Sequence, residues 1–280
     1  MKNEVIIERP TNQNTITKRY IQQAINFIEA NKDSPFFLYL AHSMPHIPLF
    51  VFADYYVDDP QSAYAATVEE LDWSVGQILD QLKKTGVDND TLVVFTSDNG
   101  PWLSMKHHGG SALPLRDGKF TTYEGGMRVP FIARWPGSIP RGQSTDEIGA
   151  ACDLLPTFAK LASAELKADR KIDGVDIWPL LSGKTSQSPR EEFFYFRGGG
   201  RLQAVRDSKW KLRLGSTKGK GNKQKIIPPE LYNLADDVSE ANNVADAHQD
   251  VVERLKNRAK LFADEIRKNR RPEGRLAAAE

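Results

Sequence analysis

The sequence offers almost no sulfur chemistry. Its 280 residues include one cysteine, Cys152, so no intrachain disulfide can form and cysteine usage says nothing of redox compartment. Between Ala150, Ala151, Leu154 and Leu155 it is expected to be a small buried hydrophobe. No sign of charge dominates either. Lys and Arg total 38 against 37 Asp and Glu, which removes the electrostatic footprint of a nucleic-acid binder or a membrane-surface protein. The basic cluster from Arg267 to Arg271 reads as a solvated helix end favoured by the macrodipole. No run approaches the roughly 18 apolar residues of a membrane span, and residues 1–10 lack the apolar stretch of a signal peptide. Internal repeats are also missing.

What is present is an ordinary globular composition on a chain long enough to bury a sizeable core. Asn14-Thr15 marks a helix start, followed by Tyr20, Ile21, Ala24, Ile25 and Ile28 at helical spacing. Residues 36–41 form a continuous apolar run, expected to be a strand buried on both faces. A second helix should carry Val68, Leu71, Val75, Ile78, Leu79 and Leu82 on one stripe and stop at Gly86. Residues 91–96 and 129–135 read as further strands, and 154–161 as a third helix. The glycine-rich stretch 97–127 has no periodicity, and a loop that long in a compact domain is usually functional or disordered. This alternation is that of an α/β sheet.

The texture changes near Gly183. Residues 192–196, 202–214 and 231–234 read as strands of an antiparallel sheet, 218–225 as a mobile hairpin loop, and 249–267 as a closing helix. The expected domains are therefore 1–183, an α/β domain, and 184–280, a small α+β subdomain.

Three places could carry chemistry. Asp98-Asn99 sit where a strand runs out, the edge at which open α/β sheets bind ligands. A carboxylate beside an amide carbonyl offers hard oxygens to Ca²⁺ or Mg²⁺, although Asp-Asn-Gly is equally a turn sequence. His42 and His46 lie on the loop after the first strand and could donate to an anionic oxygen or protonate a leaving group; a backbone partner would leave them structural. Lys119 lies among glycines that let backbone approach a ligand, and could neutralise an oxyanion or be a plain surface lysine. His107 and His108 share that long loop, where His108 could line a pocket.

Taken together, these residues resemble a known family. His46-Ile47-Pro48, then Thr96-Ser97-Asp98-Asn99-Gly100, then Gly118-Lys119-Phe120-Thr121-Thr122-Tyr123-Glu124-Gly125-Gly126 look like type I sulfatases of the arylsulfatase A group, whose fold is alkaline-phosphatase-like. Asp153-Leu154-Leu155-Pro156-Thr157 and Glu230-Leu231-Tyr232-Asn233-Leu234 are similar to that family too. The resemblance spans roughly residues 15 to 265.

It implies a sulfuric ester hydrolase acting on a sulfated small molecule or carbohydrate. Asp98 and Asn99 would hold a divalent cation, usually Ca²⁺. His46 would approach the sulfate and the leaving oxygen, Lys119 would bind sulfate, and His108 would join them against the substrate. Phe120 stands where many relatives have glycine, which bears on the shape of the loop. The family's Cys-x-Pro-x-Arg motif, whose cysteine becomes the formylglycine nucleophile, is absent. Cys152 is followed by Asp153 and Leu154, and Ser186-Gln187-Ser188-Pro189-Arg190 places its proline one position late and reads as a surface loop. The early Asp-Asp metal pair is absent as well. The expectation is a chain that begins partway through such an enzyme. Its α/β sheet would be incomplete at the N-terminus, an antiparallel sheet with a packed helix would lie at the C-terminus, and it would self-associate through an exposed sheet edge. A phosphodiesterase or phosphonate hydrolase of the same superfamily is the alternative, which the Thr-Thr-Tyr-Glu-Gly-Gly block argues against; a non-catalytic, degenerate module is another.

Overall fold

A computed structural model describes residues 3–167, 169, 171–218 and 225–270. The chain forms two compact units that interleave along the sequence. One comprises Met1–Ala112 and Val129–Pro140, the other Leu113–Arg128 and Arg141–Glu280.

The first unit is built on two helices. A one-turn 3₁₀ segment, started by the Asn12 side chain accepting from the Asn14 amide, leads into α1 (Ile16–Asn31). α1 buries Ile21, Ala24 and Ile28 against α2 (Ala63–Lys84). Gln81 donates to Glu29 across this interface at 2.8 Å. α2 ends as expected: Gly86 takes a left-handed φ of +78°, open to glycine without a Cβ penalty, and Val87 donates to the Leu82 carbonyl. The apolar stripe is corrected at one end. Leu71 and Leu82 are buried but Val68 is 42% exposed, and Thr67, Glu70 and Ser74 are buried instead. Spacing identifies an amphipathic helix; it does not say that one turn of it faces a polar loop.

Short strands β1 (Val93–Thr96) and β2 (Phe131–Arg134) pair antiparallel, Val93 opposite Arg134 and Thr96 opposite Phe131. The ladder's end is tied down by a two-pronged bond from Arg134 to Asp88, at 2.7 and 2.8 Å. Residues 36–41 are not a strand, because they join no ladder. The run is extended, with Phe36, Leu38 and Leu40 half-buried, while Phe37 and Tyr39 are 69% and 81% exposed. Phe95 and Ile132 are exposed too. The expectation of burial on both faces fails here because alternate side chains of the extended run remain exposed to solvent.

The second unit holds three short helices, α3 (Glu124–Met127), α4 (Leu154–Leu161) and α5 (Trp178–Leu181). They are followed by β3 (Phe193–Arg197), β4 (Arg201–Arg206) and β5 (Trp210–Arg213). β6 (Ser216–Lys218) and β7 (Lys225–Ile227) make a hairpin; residues 219–224 of the expected mobile loop lie outside the described residues. β8 (Glu230–Asn233) completes an antiparallel sheet of order β3-β4-β5-β8. α6 (Gln249–Asn269) lies across it. Val205, Leu212 and Leu231 face Val252, Leu255 and Ala259 of α6 in the principal core, all nearly solvent-free. Alternation along each strand turns Ala204, Lys211 and Tyr232 to the opposite face, where they are equally buried. That second covering layer is the Leu113–Arg128 segment.

Two details differ from expectation. Cys152 is exposed, and its thiol accepts from Arg190 at 3.4 Å. Arg190 does not belong to a free surface loop: its guanidinium reaches the fully buried Asp153, with Nε at 2.8 Å. A motif read for its proline spacing is thus an arginine anchor for the start of α4. Among the described residues no helix is long and apolar enough to cross a membrane.

Candidate functional site

In the first unit one candidate residue, His46, lies beside Trp102, a position with no signal in the sequence. The His46 ring lies 6.0 Å from the Trp102 ring, centroid to centroid. Trp102 follows Asp98-Asn99 by three residues. From the other side Gly109 presses on it so closely that a Cβ there would lie 2.0 Å from the Trp102 carbonyl oxygen, so only glycine fits. The fold therefore sets the His46 ring and the His108-Gly109 turn against Trp102.

His46 is exposed and accepts no restraint from a carboxylate; its Nδ1 is 2.7 Å from its neighbour's carbonyl, Ile47 O, and so donates to it. No hydrogen bond is made by Nε2 among the described residues. His108 is held by the Pro60 carbonyl, 3.0 Å from Nε2. His42 is a different case. It is half-buried, its Nε2 is 3.5 Å from Ser74 Oγ on α2, and burial pushes its imidazole below the usual range. Its contact with Ser74 ties the start of the loop to α2.

Asp98 is exposed and makes no hydrogen bond or ion pair among the described residues. Asn99 donates its amide to the Gly100 carbonyl at 3.3 Å, which turns its carbonyl oxygen outward. Two hard oxygen donors uncommitted to the protein suit Ca²⁺ or Mg²⁺. No group of three or more His, Cys, Asp or Glu side chains that could hold a metal exists among the described residues. Asp98 and Asn99 are not by themselves such a group.

Lys119 belongs to the second unit, in a loop folded back on itself. Gly118 N donates to Asp117 Oδ1 at 2.9 Å, Thr121 Oγ1 to Gly118 O at 2.9 Å, and Gly125 N to Arg116 O at 2.9 Å. A Cβ on Gly125 would sit 2.2 Å from the Asp117 oxygen, and one on Gly126 2.5 Å from that of Gly118. Phe120 adopts φ +74°, a left-handed backbone natural to glycine and strained for a bulky residue. The fold keeps the loop shape of a glycine-bearing sequence and holds a phenylalanine in it.

What fastens this loop is a buried charge cluster that sequence reasoning did not find. Glu124 accepts from Lys211 Nζ at 2.8 Å, from the Tyr195 hydroxyl at 2.7 Å and from Arg206 at 3.2 Å. Lys211 also pairs with Glu240 at 2.9 Å, and Glu240 Oε2 accepts from the Glu124 amide at 2.6 Å. Burial pushes the Glu124 carboxyl up, but Lys211 and Arg206 outweigh it and hold it below the carboxylate range. Burial dominates at Glu240 and raises it, with Lys211 in opposition. Glu240 itself has φ +51°, kept there by these bonds and by Arg116 donating to its carbonyl at 2.7 Å. A lysine in the middle of a strand was the available signal, since lysine is almost never fully buried unless paired.

Comparisons with known proteins identify the family. The Sulfatase family model matches residues 2–164, and the model of the N-sulphoglucosamine sulphohydrolase C-terminal region matches residues 116–265. Steryl-sulfatase of Homo sapiens is 42% identical over 201 residues, covering 70% of this chain and 34% of that protein. N-acetylgalactosamine-6-sulfatase of Mus musculus is 40% identical over 215 residues, 75% of this chain and 41% of that protein. The crystal structure of Ps i-CgsB in complex with k-i-k-neocarrahexaose superposes with a TM-score of 0.77 at 31% identity, over 94% of this chain and 57% of that one. The chain thus spans between about a third and two-fifths of the length of these curated relatives.

Proposed function

The chain belongs to the sulfatase family, and on that premise we propose that the protein built on it hydrolyses sulfate monoesters of a carbohydrate. The observation that carries the reading is the His46 ring 6.0 Å from that of Trp102, which follows Asn99 by three residues. Support for a carbohydrate comes from the N-acetylgalactosamine-6-sulfatase relative and from the neighbour solved with a carrahexaose. A steroid or phenol sulfate is the second reading, favoured by the steryl-sulfatase match.

The chemistry follows from charge. A sulfate monoester gathers negative charge on its peripheral and bridging oxygens as the ester bond breaks. Groups fixed in advance where that charge develops lower the barrier more than groups that must reorganise. Lys119 would neutralise a peripheral oxygen. His46, with Nδ1 committed to Ile47 O, would present Nε2 to the leaving oxygen and deliver a proton. His108 would line the substrate. Asp98 and Asn99 would hold a divalent cation, which when bound supplies Lewis-acid neutralisation of a sulfate oxygen. The 280 residues contain no Cys-x-Pro-x-Arg motif, so the nucleophile is not among the residues given roles here.

The test is turnover of 4-nitrophenyl sulfate against 4-nitrophenyl phosphate by the protein. Sulfate should be preferred, and Lys119→Ala should lower kcat/KM for it by roughly 10²–10³-fold, the scale of one lost oxyanion donor. Asp98→Ala should weaken calcium binding in calorimetry. Preference for phosphate would overturn the sulfatase reading in favour of phosphoryl transfer.

A further inference from the structure

The hairpin joining β3 and β4 ends on two arginines. Arg197 and Arg201 are direct partners in the ladder, and neither side chain makes a hydrogen bond or ion pair among the described residues. Like charges placed opposite one another destabilise a strand pair, so the hairpin gains nothing from this arrangement by itself. With Arg213 of β5, Gln203 and Ser216 they line a cavity of about 100 Å³. Of the three guanidiniums only Arg213 has its charge offset, by Glu230, and its Nε is buried without a hydrogen-bond partner. Three cations against one carboxylate leave the cavity positive.

The wall of this cavity is continuous with the Lys119 loop, in the same unit. Gln203 accepts from Thr122 Oγ1 at 3.1 Å. The Arg213 guanidinium lies 3.6 Å from the centroid of the Tyr123 ring, and the Tyr123 hydroxyl donates to Glu230 at 3.3 Å. Thr122 and Tyr123 follow Lys119 by three and four residues.

We propose that this cavity is an anion subsite for a second acidic group, a sulfate or carboxylate, on an oligosaccharide substrate. The proposal rests on the sulfate-ester reading above. Guanidinium forks match the paired oxygens of such groups. A volume equal to about three waters of liquid admits one oxyanion group, while the sugar that bears it stays outside. A nucleic acid would need a basic stripe to follow its backbone; here the three arginines border one small cavity.

The experiment is calorimetric titration of the protein with a heparin hexasaccharide, comparing wild type with Arg197→Gln/Arg201→Gln. The expected result is a Kd weakened about tenfold, with the slope of log K against log salt reduced by roughly one to two, one for each lost anion contact. Turnover of 4-nitrophenyl sulfate, which has no second acid, should not change, and the exposed positions should leave the melting temperature equal or higher. An unchanged heparin affinity overturns the subsite. A single-stranded oligonucleotide binding as tightly through the same two arginines overturns the assignment to a glycan. Arginine-dependent heparin binding without any sulfatase turnover in the wild type would uphold the cavity and strike the catalytic reading instead.

Discussion

Replacing Lys211 by methionine tests the charge cluster under the Lys119 loop most sharply. Methionine keeps the length and packing of the stem and removes only the ammonium. Glu124 would retain Arg206 at 3.2 Å and the Tyr195 hydroxyl at 2.7 Å. Glu240, fully buried, would retain only the Glu124 amide. The cost therefore falls on Glu240, an uncompensated interior carboxylate. Breaking a buried ion pair on one side costs about 3–5 kcal/mol, and the ammonium's place 4.3 Å from the Tyr195 ring centroid adds to the loss. The surviving bonds to Glu124 place the expectation near the lower end, about 3 kcal/mol.

The pH dependence follows from the direction of the Glu240 shift. Burial already holds that carboxyl above its ordinary value, and losing Lys211 raises it further. The folded variant then binds a proton that the unfolded chain has released, so its stability falls as pH rises through the folded pKa. The change is bounded by about 1.4 kcal/mol per pH unit for one group. Urea unfolding followed by the fluorescence of Trp210, beside Lys211 on β5, reads this sheet. The deficit should be larger at pH 8 than at pH 5, and Lys211→Met/Glu240→Gln should recover at least half of it. A deficit under about 1 kcal/mol at pH 8, or one equal at both pH values, would refute the reasoning.

Other outcomes follow from the first unit. Glu70 is 1% exposed with both carboxylate oxygens buried and unpartnered, and burial raises its pKa. Its contribution is present below the unfolded value and lost as pH rises, so Glu70→Gln should stabilise the protein by about 1–2 kcal/mol near pH 8 and make no difference in acid; chemical denaturation at the two pH values checks this. The exposed Phe37, Tyr39 and Ile132 should make the isolated 280-residue chain self-associate, and a Phe37→Lys/Tyr39→Lys variant should shift it toward monomer. Sedimentation velocity showing a wild-type monomer at all concentrations would remove that expectation.

The sequence was most legible where local chemistry is sufficient. α1, α2, α4 and α6 follow from periodicity and from breakers such as Gly86, within a few residues. The strands of the second unit were placed from their β-rich runs, but 202–214, read as one strand, is divided by a turn at Asp207 into β4 and β5. The run 36–41 was misread because an apolar hexapeptide signals burial without naming what buries it. Composition took Cys152 for core on its neighbours alone, though a short helix start turns it outward. His42 and His46 looked equivalent on the page; packing against α2 separates them.

By itself the sequence determined the helices, the antiparallel sheet, and the residue types that suit a cation and a sulfate: Asp98, Asn99, His46, Lys119 and His108. Those depend on side-chain chemistry and short-range spacing, which the chain carries in every conformation. Only the tertiary structure decided that the His46 ring lies beside Trp102, and that Glu124, Lys211 and Glu240 meet in a dry cluster. It also decided that two arginines face each other across a hairpin. These depend on pairs 4 to 116 residues apart, brought together by strand register and by which face of an element is covered, and no local pattern encodes either.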